Sequence, residues 1–92
     1  MVNTENLLDE LIDMGHSLKW ATKKVELTEI DNSLEEIGMQ TDRLVASGKP
    51  FSLISAELDR LAEEQNKLQE QREKRYSELK KIEEKEESNA GV

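Results

Sequence analysis

A single turn signal separates two runs of apolar residues that repeat with a heptad period. Gly48 suits the left-handed position just past a helix end, and Pro50 cannot continue a helix. After this signal the heptad positions alternate steps of four and three residues without interruption. These positions are Ile54, Leu58, Leu61, Gln65, Leu68, Arg72, Arg75, Leu79 and Ile82. The second half of the chain is therefore predicted to be one helix over about residues 52–85.

The segment before the turn repeats with the same period. Its positions are Leu27, Ile30, Leu34, Ile37, Thr41 and Leu44. Folding the chain back at a turn over residues 47–51 places Leu44 near Ile54 and Ile37 near Leu61. The sequence thus predicts an all-α fold, a long antiparallel helical hairpin of the coiled-coil type.

A further apolar block lies upstream, but its register does not continue into the hairpin. The block comprises Leu7, Leu11, Met14, Leu18, Ala21 and Val25. If the register of this block continued, Thr28 and Asn32 would be core positions. The apolar stripe must therefore shift to another face of the helix. Either one helix over about residues 4–46 rotates its apolar face, or the chain breaks near Gly15-His16 or Thr28. We expect the continuous helix, because an internal glycine costs only about 1 kcal/mol relative to alanine.

Composition limits how much of this chain can be buried. It has 92 residues, of which 35% are hydrophobic and 37% charged, so the core of the single domain predicted for residues 1–85 is thin. Residues 86–92 are predicted to form a disordered tail. The longest apolar runs have two residues, against about 20 for a membrane span. With no cysteine and no export signal at the start, the protein is expected to be cytoplasmic.

The amino-terminal segment carries more apolar side chains than one helix contact uses. A wide apolar face is typical of a helix with two neighbours, and two hairpins can pair into a four-helix bundle. We therefore predict a homodimeric helical bundle, with a heterologous partner helix as the rival use of this face. The predicted interface comprises Leu7, Leu8, Leu11, Ile12, Met14, Leu18 and Trp20. For Trp20 two interpretations stay open: packing against the end of the second helix near Leu79, or an exposed anchor for a partner.

Two arginines occupy heptad positions where leucine would pack best. In one interpretation the stems of Arg72 and Arg75 lie along the helix contact while their heads reach acids of the facing helix, such as Glu26 or Glu29. In the other, both arginines and Tyr76 form a patch that binds a partner, since Arg and Tyr are enriched at binding hot spots.

The sequence offers no grouping of residues suited to catalysis. His16 is the single histidine, cysteine is absent, and the four glycines are isolated. These residues cannot supply a His-based catalytic group with a partner, a thiolate metal site or a phosphate-binding loop. We predict no catalytic, cofactor-binding or metal-binding residue and no cofactor, and we expect that the protein is not an enzyme.

Two functional classes remain. The first is a small acidic coiled-coil module for protein–protein interaction: an adaptor, assembly chaperone, regulator or inhibitor of a larger protein. The alternative is an acidic nucleic-acid mimic of the phage or mobile-element type that blocks a DNA- or RNA-binding protein. The net charge of −8 repels phosphate, so direct nucleic-acid binding is not expected. The heptads of residues 27–82 resemble the coiled-coil insertions of large serine recombinases and small helical-hairpin regulators, a likeness that assigns no family.

Overall fold

The chain forms a long hairpin of two helices preceded by one short helix. The computed structural model describes the backbone of residues 3–90 and the side chains of residues 3–87. Over this part of the chain the helices are α1 (Leu7–Asp13), α2 (Leu18–Ala46) and α3 (Phe51–Ala90), and no strand occurs. Helices α2 and α3 pack against each other, which confirms the predicted all-α hairpin. The Cα radius of gyration is 17.8 Å, against about 12 Å for a compact domain of this length, so the molecule is a rod.

The turn between α2 and α3 follows from its glycine and proline. Gly48 adopts a φ of +75°, the left-handed conformation predicted for it. Pro50 then leads into α3, and its carbonyl accepts a hydrogen bond of 2.9 Å from the Leu53 N–H. The helix begins at Phe51, one residue before the predicted start.

The hairpin core is a single row of apolar side chains between α2 and α3. The fully or almost fully buried ones are Ala21, Leu27, Ile37, Ile54, Leu61 and Leu79. Leu44 and Ile54 line one groove of the hairpin together, and Ile30 and Leu68 line another, as the antiparallel register predicts. Leu61, at 1% exposure, is the most completely buried large side chain in the described part of the chain.

The predicted continuous helix over residues 4–46 is wrong, because the chain leaves the helix between α1 and α2. Gly15 has a φ of +101°. Its N–H donates to the Ile12 carbonyl at 3.0 Å, and the His16 N–H donates to the Leu11 carbonyl at 3.2 Å. This pair of bonds is the Schellman motif, which satisfies carbonyls at a helix end. The glycine therefore closes α1 instead of being tolerated inside a longer helix.

A serine opens the next helix immediately afterwards. The Ser17 hydroxyl accepts a hydrogen bond of 3.2 Å from the Trp20 N–H, the geometry of an N-cap. Caps of this kind contribute about 1 kcal/mol, so the two caps together offset the helical hydrogen bonds lost at the break. The break lets α1 turn back and contact α2, where Leu11 becomes buried.

Helix α3 continues to Ala90, past its predicted end at about residue 85, and the disorder predicted for residues 86–92 stays a prediction. Glu86 accepts a hydrogen bond from the Ser17 hydroxyl, which holds this part of α3 against the start of α2. Extending an existing helix adds one hydrogen bond per residue, so the remaining residues continue it. Residues 91–92 of the predicted tail lie outside the described residues.

Candidate interaction surfaces

Some of the predicted interface residues are buried or half-buried within the single chain, and the others are exposed. Leu11 is buried, and Leu7, Leu8 and Trp20 are half-buried. The three others remain exposed by 40%, 73% and 63%: Ile12, Met14 and Leu18. All three lie at the corner between α1 and α2, on either side of the break at Gly15.

Exposed acidic side chains occur in the same segment. Asp9, Glu10 and Asp13 belong to α1 and are exposed to solvent. No lysine or arginine occurs between residues 3 and 18. We call this combination the elbow surface: the apolar Ile12, Met14 and Leu18 together with the acids Asp9, Glu10 and Asp13. The elbow surface thus combines three exposed apolar residues with three exposed acids.

Trp20 is held against the end of α3, the first of the two interpretations given for it. Its indole N–H donates a hydrogen bond of 3.0 Å to Glu83, and its ring stacks on His16 with centroids 3.9 Å apart. Donation from the indole is the main cause that lowers the pKa of the Glu83 carboxyl below its ordinary value. Trp20 therefore joins the start of α2 to the end of α3.

Polar links connect the amino-terminal half of α2 to the carboxyl-terminal half of α3. Besides the Trp20 contact they are Ser17 with Glu86, Lys23 with Glu78 at 2.6 Å, Glu26 with Arg75 at 3.3 Å, and Asp31 with Arg72 at 2.6 Å. Most of these side chains are partly exposed, so water and salt screen each ion pair and each one contributes little to stability. These pairs between α2 and α3 support the antiparallel register in the half of the hairpin where α3 has arginines at heptad positions.

The candidate patch of Arg72, Arg75 and Tyr76 is only partly free. Both arginine heads contact acids of α2, as the first interpretation of these residues expects. Tyr76 is 45% exposed, and the Lys80 ammonium lies 5.5 Å from its ring centroid. The two arginines thus link α3 to α2 through ion pairs. That the three residues also bind a partner stays a prediction.

The Lys23–Glu78 pair makes stability depend on pH in a defined direction. Its hydrogen bond lowers the pKa of Glu78 below the ordinary 4.5. The stabilisation is present above that pH and is lost as the pH falls through the lowered value. We expect urea midpoints of the wild type to fall from about pH 4.5 downwards, and those of Glu78→Gln to fall less. Glu70→Gln, at an exposed glutamate of the same helix, serves as the control and should follow the wild type. Parallel curves for the wild type and Glu78→Gln would contradict this role.

Three more exposed apolar residues, which the sequence did not predict to be exposed, lie near the turn. Val45, Phe51 and Leu53 are exposed by 65%, 72% and 71%. The neighbouring groove is lined by Leu44, Leu53 and Ile54, with Arg43 and Lys49 among its polar residues. We call the exposed Val45, Phe51 and Leu53 with the cations Arg43 and Lys49 the tip surface. A signal was present in the sequence: residues 43–56 contain no acid, in a chain of net charge −8.

Comparisons with known proteins add no identification. No family model matches the chain, and neither a curated protein nor a solved structure is significantly similar to it. In the part of the chain that the structure describes, no three His, Cys, Asp or Glu side chains are grouped to hold a metal ion. None of its described helices is long and apolar enough to cross a membrane. The two exposed surfaces are therefore the features from which a function can be argued.

Proposed function

We propose that the protein is an interaction module that acts by contact with other proteins and not by catalysis. The observation that carries the proposal is the elbow surface, because Ile12, Met14 and Leu18 are all exposed in one short segment of a chain in which only 35% of the residues are hydrophobic. The hairpin core does not need these side chains. Clustered exposed apolar side chains with a polar edge are typical of protein-binding sites.

The energy available at the elbow surface is enough for association. Full burial of a leucine, isoleucine or methionine side chain contributes about 1.5–3 kcal/mol. Three partly exposed side chains on each of two partners could therefore supply several kcal/mol before the entropic cost of association is subtracted. A thin hairpin core gives a further reason to associate, since helices paired in a bundle bury more of their surface than two helices do.

The assembly that we propose is a homodimer formed through this amino-terminal surface. In that state the rod would present its remaining faces to a larger protein, as an adaptor, assembly chaperone or regulator does. The absence of cysteine suits a reducing compartment, and we place the protein in the cytoplasm.

The alternative of a nucleic-acid mimic receives less support from the arrangement of the acids. A mimic needs free carboxylates at regular spacing along one face. Glu26, Asp31, Glu78 and Glu83 are instead engaged by cations or by Trp20 within the hairpin. Interaction through apolar side chains at the elbow is therefore the function proposed.

Light scattering over a dilution series tests the proposal. We expect the wild type to reach twice the 10.6 kDa of one chain as concentration rises. Ile12→Glu/Leu18→Glu should remain at the mass of one chain, because burying four carboxylates per dimer is costly. Helicity by far-UV circular dichroism should be unchanged, since both positions are exposed.

The control changes the charge equally at a different place. Ala62→Glu/Asn66→Glu also adds two acids, at exposed positions in the middle of α3. This variant should associate as the wild type does. A wild type that stays monomeric at every concentration would sink the homodimer, and a monomeric control variant would show that net charge, not the elbow surface, governs association.

A further inference from the structure

The apolar stripe of the amino-terminal segment keeps one register through the corner between α1 and α2. Its members follow one another in alternating steps of four and three residues: Leu7, Leu11, Met14, Leu18, Ala21 and Val25. Residues with this spacing share one face only where the chain between them is a continuous helix. The structure interrupts the helix between Asp13 and Leu18. The segment is therefore compatible with two conformations, one bent at Gly15 and one straight.

Few contacts hold the bent form. Helix α1 has seven residues, and over the described residues its backbone comes close to that of α2 but not to that of α3. Leu11 is its one buried side chain, while Met14 and Leu18, the stripe residues nearest the break, are exposed by 73% and 63%. A helix this short is not stable alone in water and depends on its packing. We therefore expect α1 to leave α2 without unfolding of the hairpin.

The hydrogen bonds at the break can be exchanged for helical ones. In the bent form the Gly15 and His16 N–H groups donate to carbonyls of α1, and the Ser17 hydroxyl accepts from the Trp20 N–H. A straight helix gives up this cap and the hydrogen bond between Ser17 and Glu86. It regains the i to i−4 hydrogen bonds that the break interrupts. The two forms thus satisfy much of the same backbone, and the packing of α1 on α2 selects the bent form in a single chain.

We propose that the corner at Gly15 is a conformational switch: the single chain is bent, and the associated chain is straight from α1 into α2. The inference rests on the proposed function, because association through the amino-terminal surface drives the change. Straightening places Leu11 on one exposed face with Met14 and Leu18, whereas the bent form exposes only part of the stripe. Association through the whole stripe buries more apolar surface, so it shifts the population towards the straight form.

Two alanine substitutions favour the straight form. Gly15→Ala is disfavoured at the φ of +101° in the bent form, and alanine is the better helix former in the straight one. An added Cβ at Gly15 meets no atom within 4 Å, so this change acts through the backbone. Ser17→Ala removes the cap of α2. Together the two changes should raise the ratio of straight to bent chains roughly a hundredfold.

A proline favours the bent form. Proline suits the first position of a helix, and Ser17 already has the extended conformation that precedes a proline, with φ −68° and ψ 158°. Leu18→Pro is therefore compatible with the corner. Inside a continuous helix the same proline removes a hydrogen bond and clashes with the preceding turn. Leu18→Ala is the matched control, because it removes the same leucine without fixing the backbone.

Spin-label distances report the conformation. The chain has no cysteine, so labels can be attached at Asp9→Cys and Ser33→Cys, which are both exposed. In a straight helix the two Cα atoms lie about 36 Å apart. In the bent form, where α1 contacts α2, they lie closer together. Dilute wild type and Leu18→Pro should give the shorter distance, and the double alanine variant should populate the longer one. Labelled wild type mixed with excess unlabelled chain, at a concentration where dimers form, should also give the longer one.

Association should follow the switch. By light scattering, the double alanine variant should dimerise at a lower concentration than the wild type, and Leu18→Pro at a higher one than Leu18→Ala. A wild-type dimer that keeps the shorter distance would overturn the switch and leave the proposed function intact. A double alanine variant that gives only the shorter distance would overturn it as well, whether or not the wild type associates. A wild type that never associates defeats the proposed function, and with it the straight associated chain.

Discussion

Replacing Leu61 by alanine should lower the free energy of unfolding by about 2–5 kcal/mol, the range observed when a buried leucine is cut back in a core. Leu61 is 1% exposed and lies in the row of apolar side chains between α2 and α3. A domain of this length has a total stability of about 5–14 kcal/mol. We expect the thin core to put the chain at the lower end, so that this one substitution removes a large fraction of the stability. Urea unfolding followed by circular dichroism at 222 nm measures the loss.

The matched control is the same substitution at an exposed leucine. Leu53 is 71% exposed, and Leu53→Ala should change the free energy of unfolding by no more than about 0.5 kcal/mol. Both variants must be measured at a dilution where light scattering shows single chains, because association stabilises the folded state by mass action. Equal losses for the two leucines would mean that the α2–α3 contact does not have the register described.

The hairpin could be predicted from the sequence because every requirement for it is local or periodic. Gly48 and Pro50 mark the turn by their own backbone preferences, and the heptads on either side fix which faces meet. Antiparallel pairing then follows from the short connection alone. Leu44 and Ile54 line the same groove, as this antiparallel pairing requires.

The break between α1 and α2 was only the alternative prediction, because Gly15 was considered without Ser17. Gly15 taken alone costs a helix only about 1 kcal/mol, which favoured continuity. Ser17 two residues later supplies the N-cap of a new helix, so the glycine and the serine together favour a corner. The shift of the apolar stripe before Thr28 was a real signal, but it was compatible with either arrangement.

The surfaces were less predictable than the fold, since exposure depends on how the helices end. Leu11 and Leu18 belong to the same apolar block, yet the corner buries the first and leaves the second 63% exposed. At the turn, Phe51 is the first residue of α3 and is 72% exposed, although it lies only three residues before the buried Ile54. Periodicity identifies the apolar residues of a helix but not which of them find a neighbour.

Alanine substitutions at two glycines should change stability in opposite directions. Gly38 lies inside α2, and an added Cβ there would meet no atom within 4 Å. Gly38→Ala should therefore raise the free energy of unfolding by about 0.5–1 kcal/mol, because glycine is a poor helix former. Gly48 has a φ of +75°, where a Cβ crowds the following carbonyl, so Gly48→Ala should lower it by about 1–2 kcal/mol. Urea unfolding of dilute protein measures both.

Each glycine variant is the control of the other. The substitution restricts the unfolded chain to the same degree at both positions, so the difference of about 2 kcal/mol between them reflects the folded state. A stabilising Gly48→Ala would show that the turn does not use the left-handed conformation. A destabilising Gly38→Ala in dilute protein would contradict the open space that the structure shows around this position. The same pair measured above the association concentration therefore reports whether the middle of α2 is covered when two copies meet.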